Sequence, residues 1–539
     1  AVRDAGLVWI GPPPAVIEAA TEEPEPETPA TMVYLTNAVI NMAISSHGAC
    51  IAAAELKHYP TTIKKDSPPV RLDFTNAPAL SLVGIPGLTR KAAFEVAPGS
   101  GGQQARFTRA LPSGLHFERT ITITNNPYRA TIEDVFRNDG SSPLAMPEHA
   151  LQVGPMGLLP GEIPGKADVF LGLDSLAAVG GEGVMHWNSS PIFGKQLTLA
   201  QLFQPEVRRG GCSMNRARLE KQLPVRIAHK DSTDVDWLAA KNKFFVQILQ
   251  IQAPAGGGNG FELQATRRVA PAERADDSAT WAGDAVIESV AGAIDFEARI
   301  LAPGETFRRQ AAYYVGPREY ASVRYLGNSQ DEVMEFGMWS WLCKILVVSL
   351  KWIYLVIPNF GVAIILLTLI IRVIFWPVTH YGTESMKKMQ ALQPQMLELR
   401  AKFKDKPQKL QQEMMALYKE HKVNPILSGC LPMLIQIPVF IALYNILRSG
   451  IGLRFAGFLW VGDLSEPENL LAGVLPFGLA LNLLPIYMAV TMAWQQKLTP
   501  SAGDPAQQKM MMFMPVVMLL FCYSLPAGMI LYWSVNQTM

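Results

Sequence analysis

The 539-residue sequence predicts a multi-pass α-helical membrane protein carrying one large β-sandwich domain. Charged residues make up 17% of the chain, below the roughly 25% of soluble domains, while hydrophobic residues reach 49%. The deficit is local: 338–379, 425–448, 470–494 and 510–539 are almost free of charge, whereas 1–330 carries charge at ordinary soluble spacing. Between Met32 and Tyr325, apolar and polar residues alternate with period two, broken by Gly, Pro and Asn, which turns one face of each strand to a core. A purely cytosolic enzyme is thereby excluded, and a formal net charge of +1 advertises no nucleic-acid face.

Residues 1–31, with GPPP and EEPEPETPA, are acidic and proline-rich and read as an extended, disordered linker. They hold no apolar run long enough for a span or a signal core, so either an export signal lies upstream of these residues or the domain that follows is not exported. Residues 32–325 form the β-domain. Alternation is plain at His116–Thr124, Tyr128–Phe136, Phe244–Ile251 and Ala293–Leu301, and turns are marked by Asn125-Asn126-Pro127, Asn138-Asp139-Gly140 and Pro303-Gly304. His186, Trp187, Trp237 and Trp281 are available as a carbohydrate platform or as ordinary packing, and the sequence leaves both open. Five cysteines without a CxxC pair imply no metal or disulfide framework. Cys50 and Cys212 either pair, if exported, or are separately buried thiols.

The membrane half begins with 336–357, where Lys344 and Lys351 share a face and Trp339, Trp341, Trp352 and Tyr354 supply anchors. That pattern predicts an amphipathic helix lying in the membrane surface rather than across it. Spans are expected at 359–379, 427–447, 470–494, 510–525 and 526–539; the last two are short for a hydrocarbon core of about 30 Å, and the last is expected to be truncated. Nine Lys/Arg in 380–422, with Lys497 and Lys509, put those loops in the cytoplasm. Alternation of the spans then puts the β-domain outside.

Arg372 is the most informative residue. An arginine within a span costs about 2.5–3.5 kcal/mol near the bilayer centre on insertion scales. It therefore faces water, a partner or other helices, or snorkels to the inner headgroups. Thr368, Gly361 and Ile365 extend its face. Gln436 and Asn445, Asn482 and Thr491, and Tyr532, Ser534 and Asn536 offer further polar groups, for a shared cavity or for interhelical hydrogen bonds. In 383–421, apolar stripes at Met386, Met389, Leu392, Met396 and Leu399 and at Leu410, Met414, Leu417 and Tyr418 flank Lys404–Gln408, as in an antiparallel helical hairpin.

LLTLIIRVIFWPVT (366–379), MKKMQALQPQM (386–396), QQEMMALYKEHKVNPILSGCLPMLIQIPVFIALY (411–444), DPAQQKMMMFMPVV (504–517) and LPAGMILYW (525–533) closely resemble the YidC-type membrane protein insertases, the YidC/Oxa/Alb family. The resemblance implies a five-helix insertase core with a hydrophilic groove open to cytoplasm and lipid. It also implies a periplasmic β-supersandwich at 32–325, as in Gram-negative members, and a multi-pass place in the bacterial inner membrane. On this resemblance the groove residues are Arg372, Thr368, Gln436, Tyr532 and Trp533, the last departing from the family's second tyrosine. Met386, Met389, Met396, Met414 and Leu417 would recruit substrate from the hairpin. The family's first span and basic tail are absent from these residues, which suggests a chain cut at both ends.

The implied function is insertion and folding of nascent membrane proteins, alone or with a Sec-type translocase, in contact with lipid and, through the tail, the ribosome. No bond is made or broken, so neither an enzyme activity, a cofactor nor a metal is expected. A small-anion transporter using Arg372 and an anchored glycan receptor are the alternatives; the first has no inverted repeat in 359–539 behind it.

Overall fold

A computed structural model describes residues 15–16, 28–75, 77–124, 126–160, 162, 170–177, 183–188, 197–198, 226–252, 258–267, 287–403, 406–421, 431–470, 480–498 and 505–539. Most of the linker, Cys212, Trp281 and Cys430 lie outside them. Two compact units emerge: 1–318 with 326–333, and 319–325 with 334–539.

The first unit is all β. Its main sheet has ten strands, in the order Leu197–Thr198, Val184–Asn188, Leu171–Ala177, Val235–Asn242, Phe245–Gln252, Thr306–Pro317, Arg129–Asn138, Leu115–Ile123, Gln104–Ala110 and Glu95–Val96. A six-stranded sheet built around Ile287–Phe296 packs on it through Val235–Asn242 and Leu171–Ala177, and a four-stranded sheet spans Met32–Asp73. Strict alternation is realised in Leu115–Ile123, where every second side chain is buried. Two of the expected turns form as well: the Asn138 side chain accepts a hydrogen bond from the Gly140 N–H at 2.9 Å, and Gly304 takes φ +76°, while Asn125 of the third lies outside the described residues.

Two expectations change. Phe245–Gln252 has both faces covered, because Gln247 is fully buried and donates to the Pro155 carbonyl at 2.8 Å. Its polar residues signalled hydrogen bonds inside the domain, where a buried amide must find a partner. The run 293–301 splits into Ile287–Phe296 and Arg299–Leu301, which belong to different sheets.

Trp187 and Trp237 are core residues, and the Trp237 indole donates to the Asn328 carbonyl at 2.8 Å. His186 Nδ1 lies 2.9 Å from the Asp174 carboxylate. These three side chains are thus engaged in packing and pairing, the reading that carbohydrate stacking competed with. Cys50 is a free, buried thiol, pushed up to about 12 by burial, with Sγ 3.1 Å from the His47 carbonyl.

At the centre of this unit Asp134 is shared by two buried arginines. Arg119 donates to it from Nε at 2.6 Å and Nη2 at 2.9 Å, and Arg309 from Nη2 at 2.6 Å. Burial alone would raise the carboxyl; the two guanidinium groups outweigh it and hold the group at about 2. Behind Arg309, His149 Nε2 sits 3.0 Å from Nη1, and burial together with Arg309 pushes the imidazole down to about 3.

Because the imidazole titrates near 6.5 when unfolded, the unfolded chain binds a proton below that pH that the folded chain does not. Stability from neutral His149 is therefore complete above about pH 6.5 and is lost as pH falls toward 3, at roughly 1.4 kcal/mol per unit. Asp134 acts in the same direction, but only below about pH 3.9. A denaturant midpoint for the β-unit should fall steeply from pH 6 to pH 4, and His149→Gln should flatten that slope.

Candidate functional site

The second unit contains eight helices among its described residues, apart from one-turn pieces: α1 Ser340–Val356, α2 Phe360–Ala391, α3 Gln393–Lys402, α4 Pro407–Glu420, α5 Leu431–Ser449, α6 Leu483–Leu498, α7 Pro505–Cys522 and α8 Ala527–Thr538. Two helical stretches, Gly337–Val356 and Phe360–Tyr381, are long and apolar enough to cross a membrane, and Met512–Cys522 is a shorter apolar one. Of the span expected over 470–494, residues 471–479 lie outside the described residues, and the described helix runs from Leu483. Ahead of it, Leu470 and Leu481 pair as a β-bridge, and the Asn482 side chain joins the Asn469 N–H at 2.8 Å to the Tyr523 carbonyl at 2.7 Å. Pro485, near the helix start, fits a first turn whose N–H groups lack intrahelical partners.

α8 packs against α2, α5 and α6, and α1 packs against α2 and α5. Two of the polar side chains singled out from sequence, Arg372 and Gln436, reach α8, whereas Asn445 donates to the Phe336 carbonyl and Thr491 bonds back within its own helix. Arg372, half-buried on α2, donates from Nη2 to the Asn536 carbonyl on α8 at 3.2 Å. A cation at the C-terminal end of a helix meets both unpaired carbonyls and the negative end of its dipole. Gln436 on α5 donates to the hydroxyl of buried Tyr532 on α8. Three helices are thus joined by polar links inside an apolar bundle, where such bonds are scarce and costly to leave unmade.

Thr368 is buried one turn from Arg372, but its hydroxyl donates to the Ile364 carbonyl of its own helix at 2.7 Å. Trp533 packs edge-on against Phe440 with ring centroids 4.9 Å apart, an apolar contact. Sequence reading missed the neighbouring α6–α8 links: the Tyr487 and Thr538 hydroxyls lie 3.0 Å apart, and Gln537 donates to Gln495. The signal was present, since Tyr487, Thr491 and Gln495 recur every four residues on α6.

The hairpin arms differ from the expected separate pair. The apolar stretch of α2 runs on without a break to Ala391, through Pro377, so the first arm begins as the end of that helix. Leu392 and Met396 are buried against Met414, Leu417 and Tyr418. Met386 and Met389 lie on the last turns of α2, and their side chains fall outside the described residues. On α1, Lys351 pairs with Glu319 at 2.5 Å and Lys344 sits over the Tyr320 ring, while Trp341, Ile345, Trp352 and Leu355 are exposed.

Gly361, at the start of α2, is a packing glycine: a Cβ there would lie 2.1 Å from the Phe458 ring. Gly361→Leu is expected to destabilise the helical unit by about 1–3 kcal/mol through overpacking, read as a lowered unfolding temperature in detergent.

The architecture is that of a membrane-helix unit with an interior of shared polar links, attached to a large β-domain. A family model described as 60Kd inner membrane protein matches residues 352–539, and one described as YidC periplasmic domain matches residues 32–154. The membrane protein insertase YidC of Syntrophobacter fumaroxidans is 43% identical over 241 residues, covering 44% of this chain and 43% of that protein. The chain therefore spans less than half the length of that relative. The YidC protein of Geobacter sulfurreducens is 31% identical over 515 residues, covering 93% of this chain and 82% of that protein. A crystal structure described as an active YidC insertase with its first transmembrane domain resolved aligns at 17% identity with a TM-score of 0.35, covering 94% of this chain and 90% of that one. The chain belongs to the YidC family. Its relatives are named for insertion, in keeping with a chain that is not an enzyme.

Proposed function

We propose that this chain inserts nascent membrane proteins into the bacterial inner membrane through a groove formed by α2, α5 and α8. The observation that carries this reading is the convergence of Arg372, Gln436 and Tyr532 on one another's helices within an apolar unit. A span being inserted has a polar segment that must cross lipid. Groove amides, hydroxyls and one guanidinium replace part of its water, so the segment is not fully desolvated. Its apolar residues then leave sideways into lipid, which drives the step.

The full reading has five spans at α2, α5, α6, α7 and α8. The exposed tryptophans of α1 and its protein-paired lysines support a place for that helix in the membrane surface. The stacked large sheets of residues 32–325 support a supersandwich on the periplasmic side. The α3–α4 arms receive substrate on the cytoplasmic side: Met396, Met414 and Leu417 pack the arms on each other, and exposed Met415 offers a flexible apolar contact. A Sec-type translocase and the ribosome are further partners on this reading, and neither cofactor nor metal takes part. Insertion of a single-span protein by the purified chain in lipid vesicles, scored by protease protection, tests it. Protection no greater than in empty vesicles would refute it.

A further inference from the structure

The segment between α5 and α6 carries an apolar turn that the groove does not use. Phe458 and Val461 exchange both backbone hydrogen bonds, each 2.9 Å, which closes a two-residue hairpin turn with Leu459 and Trp460 at its tip. Leu459 is 76% exposed and Trp460 49%. Leu459 also has φ +52°, in the left-handed region. That is the position where such turns favour glycine or asparagine and bulky side chains are rare. Leucine at this position is therefore both exposed and in a backbone conformation that costs it energy.

The surroundings show what it contacts. Phe458, at the base of the turn, rests on Gly361, the second residue of α2, which fixes the turn at the end of a helix long and apolar enough to span. Beside it, Phe360 stacks on Tyr354 with centroids 4.0 Å apart, so the end of α1 lies at the same level, where Trp352, Leu355 and Val356 are exposed. The Trp460 indole N–H donates to Glu468 Oε1 at 2.8 Å, and Glu468 Oε2 accepts the Leu484 N–H at 2.9 Å at the start of α6. Trp460 is thus held with its polar edge on a carboxylate and its ring partly bare, the arrangement of an aromatic residue at a membrane–water boundary.

We infer that the Leu459–Trp460 turn is a lipid anchor, seated among the headgroups and first acyl carbons of the outer leaflet, and that Glu468 positions it. The inference rests on the proposed orientation of α2 but not on insertion through the groove. The test uses the full chain in vesicles of phosphatidylethanolamine and phosphatidylglycerol, with a nitroxide on Leu459→Cys and Cys212 and Cys430 replaced by serine. The same background without Leu459→Cys is the blank. Relaxation by oxygen relative to a water-soluble nickel complex should place this label between Ile374→Cys, on the exposed face of α2, and Lys64→Cys, on the β-domain surface. Glu468→Gln should shift the label toward the Lys64→Cys value. A Leu459 label as open to nickel as Lys64→Cys would overturn the anchor, as would one shielded from both reagents, which would mark a protein partner instead.

Discussion

Asp134→Ala is expected to remove most of the stability of the β-unit. It strands Arg119 and Arg309, both fully buried, without the carboxylate they share. Breaking a buried pair in this way costs about 3–5 kcal/mol, against a total of roughly 5–15 kcal/mol for a domain. Arg119 keeps its hydrogen bonds to the Ala49 and Leu80 carbonyls, whereas among the described residues Arg309 keeps neutral His149 and the faces of Phe136 and Phe296. Asp134→Asn, which preserves shape and loses charge, should fall between. Replacing all three residues by apolar ones of similar volume should cost far less than Asp134→Ala, since no charge is left stranded. Hydrogen exchange across Leu115–Ile123, Arg129–Asn138 and Thr306–Pro317 in the full chain reads the effect. Unchanged protection in Asp134→Ala would show that the cluster is not what holds these strands.

Arg372→Ala is expected to cut insertion of proteins with acidic translocated segments by about tenfold or more, and to leave those with neutral segments nearly unchanged. Two opposite charges about 4 Å apart attract by about 4 kcal/mol in a partly screened protein setting, and tenfold corresponds to about 1.4 kcal/mol. The substitution also frees the Asn536 carbonyl, but α8 is still held by α2, α5 and α6, so the unit should remain folded. Lysine at 372 should retain most of the activity, because a cation still faces the same end of α8. Equal losses for acidic and neutral segments would assign Arg372 to holding α8 rather than to attracting charge.

Sequence reading reached different depths in the two units. Spacing alone shows that Arg372 and Thr368 share a face, because both lie on one helix. That Arg372 meets a backbone carbonyl on α8, 164 residues away in sequence, depends on packing that no local pattern encodes. For Thr368 the pattern gave the face but not the hydroxyl's partner, since a threonine within a helix can bond back to its own preceding turn. Alternation gave Leu115–Ile123 correctly because one face of that strand is partly open to water. It misled at Phe245–Gln252, where a covered polar face looks like an exposed one until Gln247 is seen bonded to Pro155. Arg119, Asp134 and Arg309 each fall in phase with the apolar face of their strands, beside Phe117 and Ile121, Ile132 and Phe136, and Phe307 and Ala311, so alternation marks them as charges on a covered face. Which of them pair is long-range, and no local pattern encodes it.

On the proposed route, substrate passes between α2, α5 and α8. Thr368 and Tyr532 are too deeply buried to carry a probe without disturbing the bundle, whereas Gln436 is half-buried beside them. A photoreactive residue at Gln436, in membranes carrying a single-span protein stalled during synthesis, is predicted to crosslink to the nascent span. A matching probe at Ile63, on the β-unit surface, should not. Crosslinks confined to the α3–α4 arms, with none from Gln436, would contradict the claim.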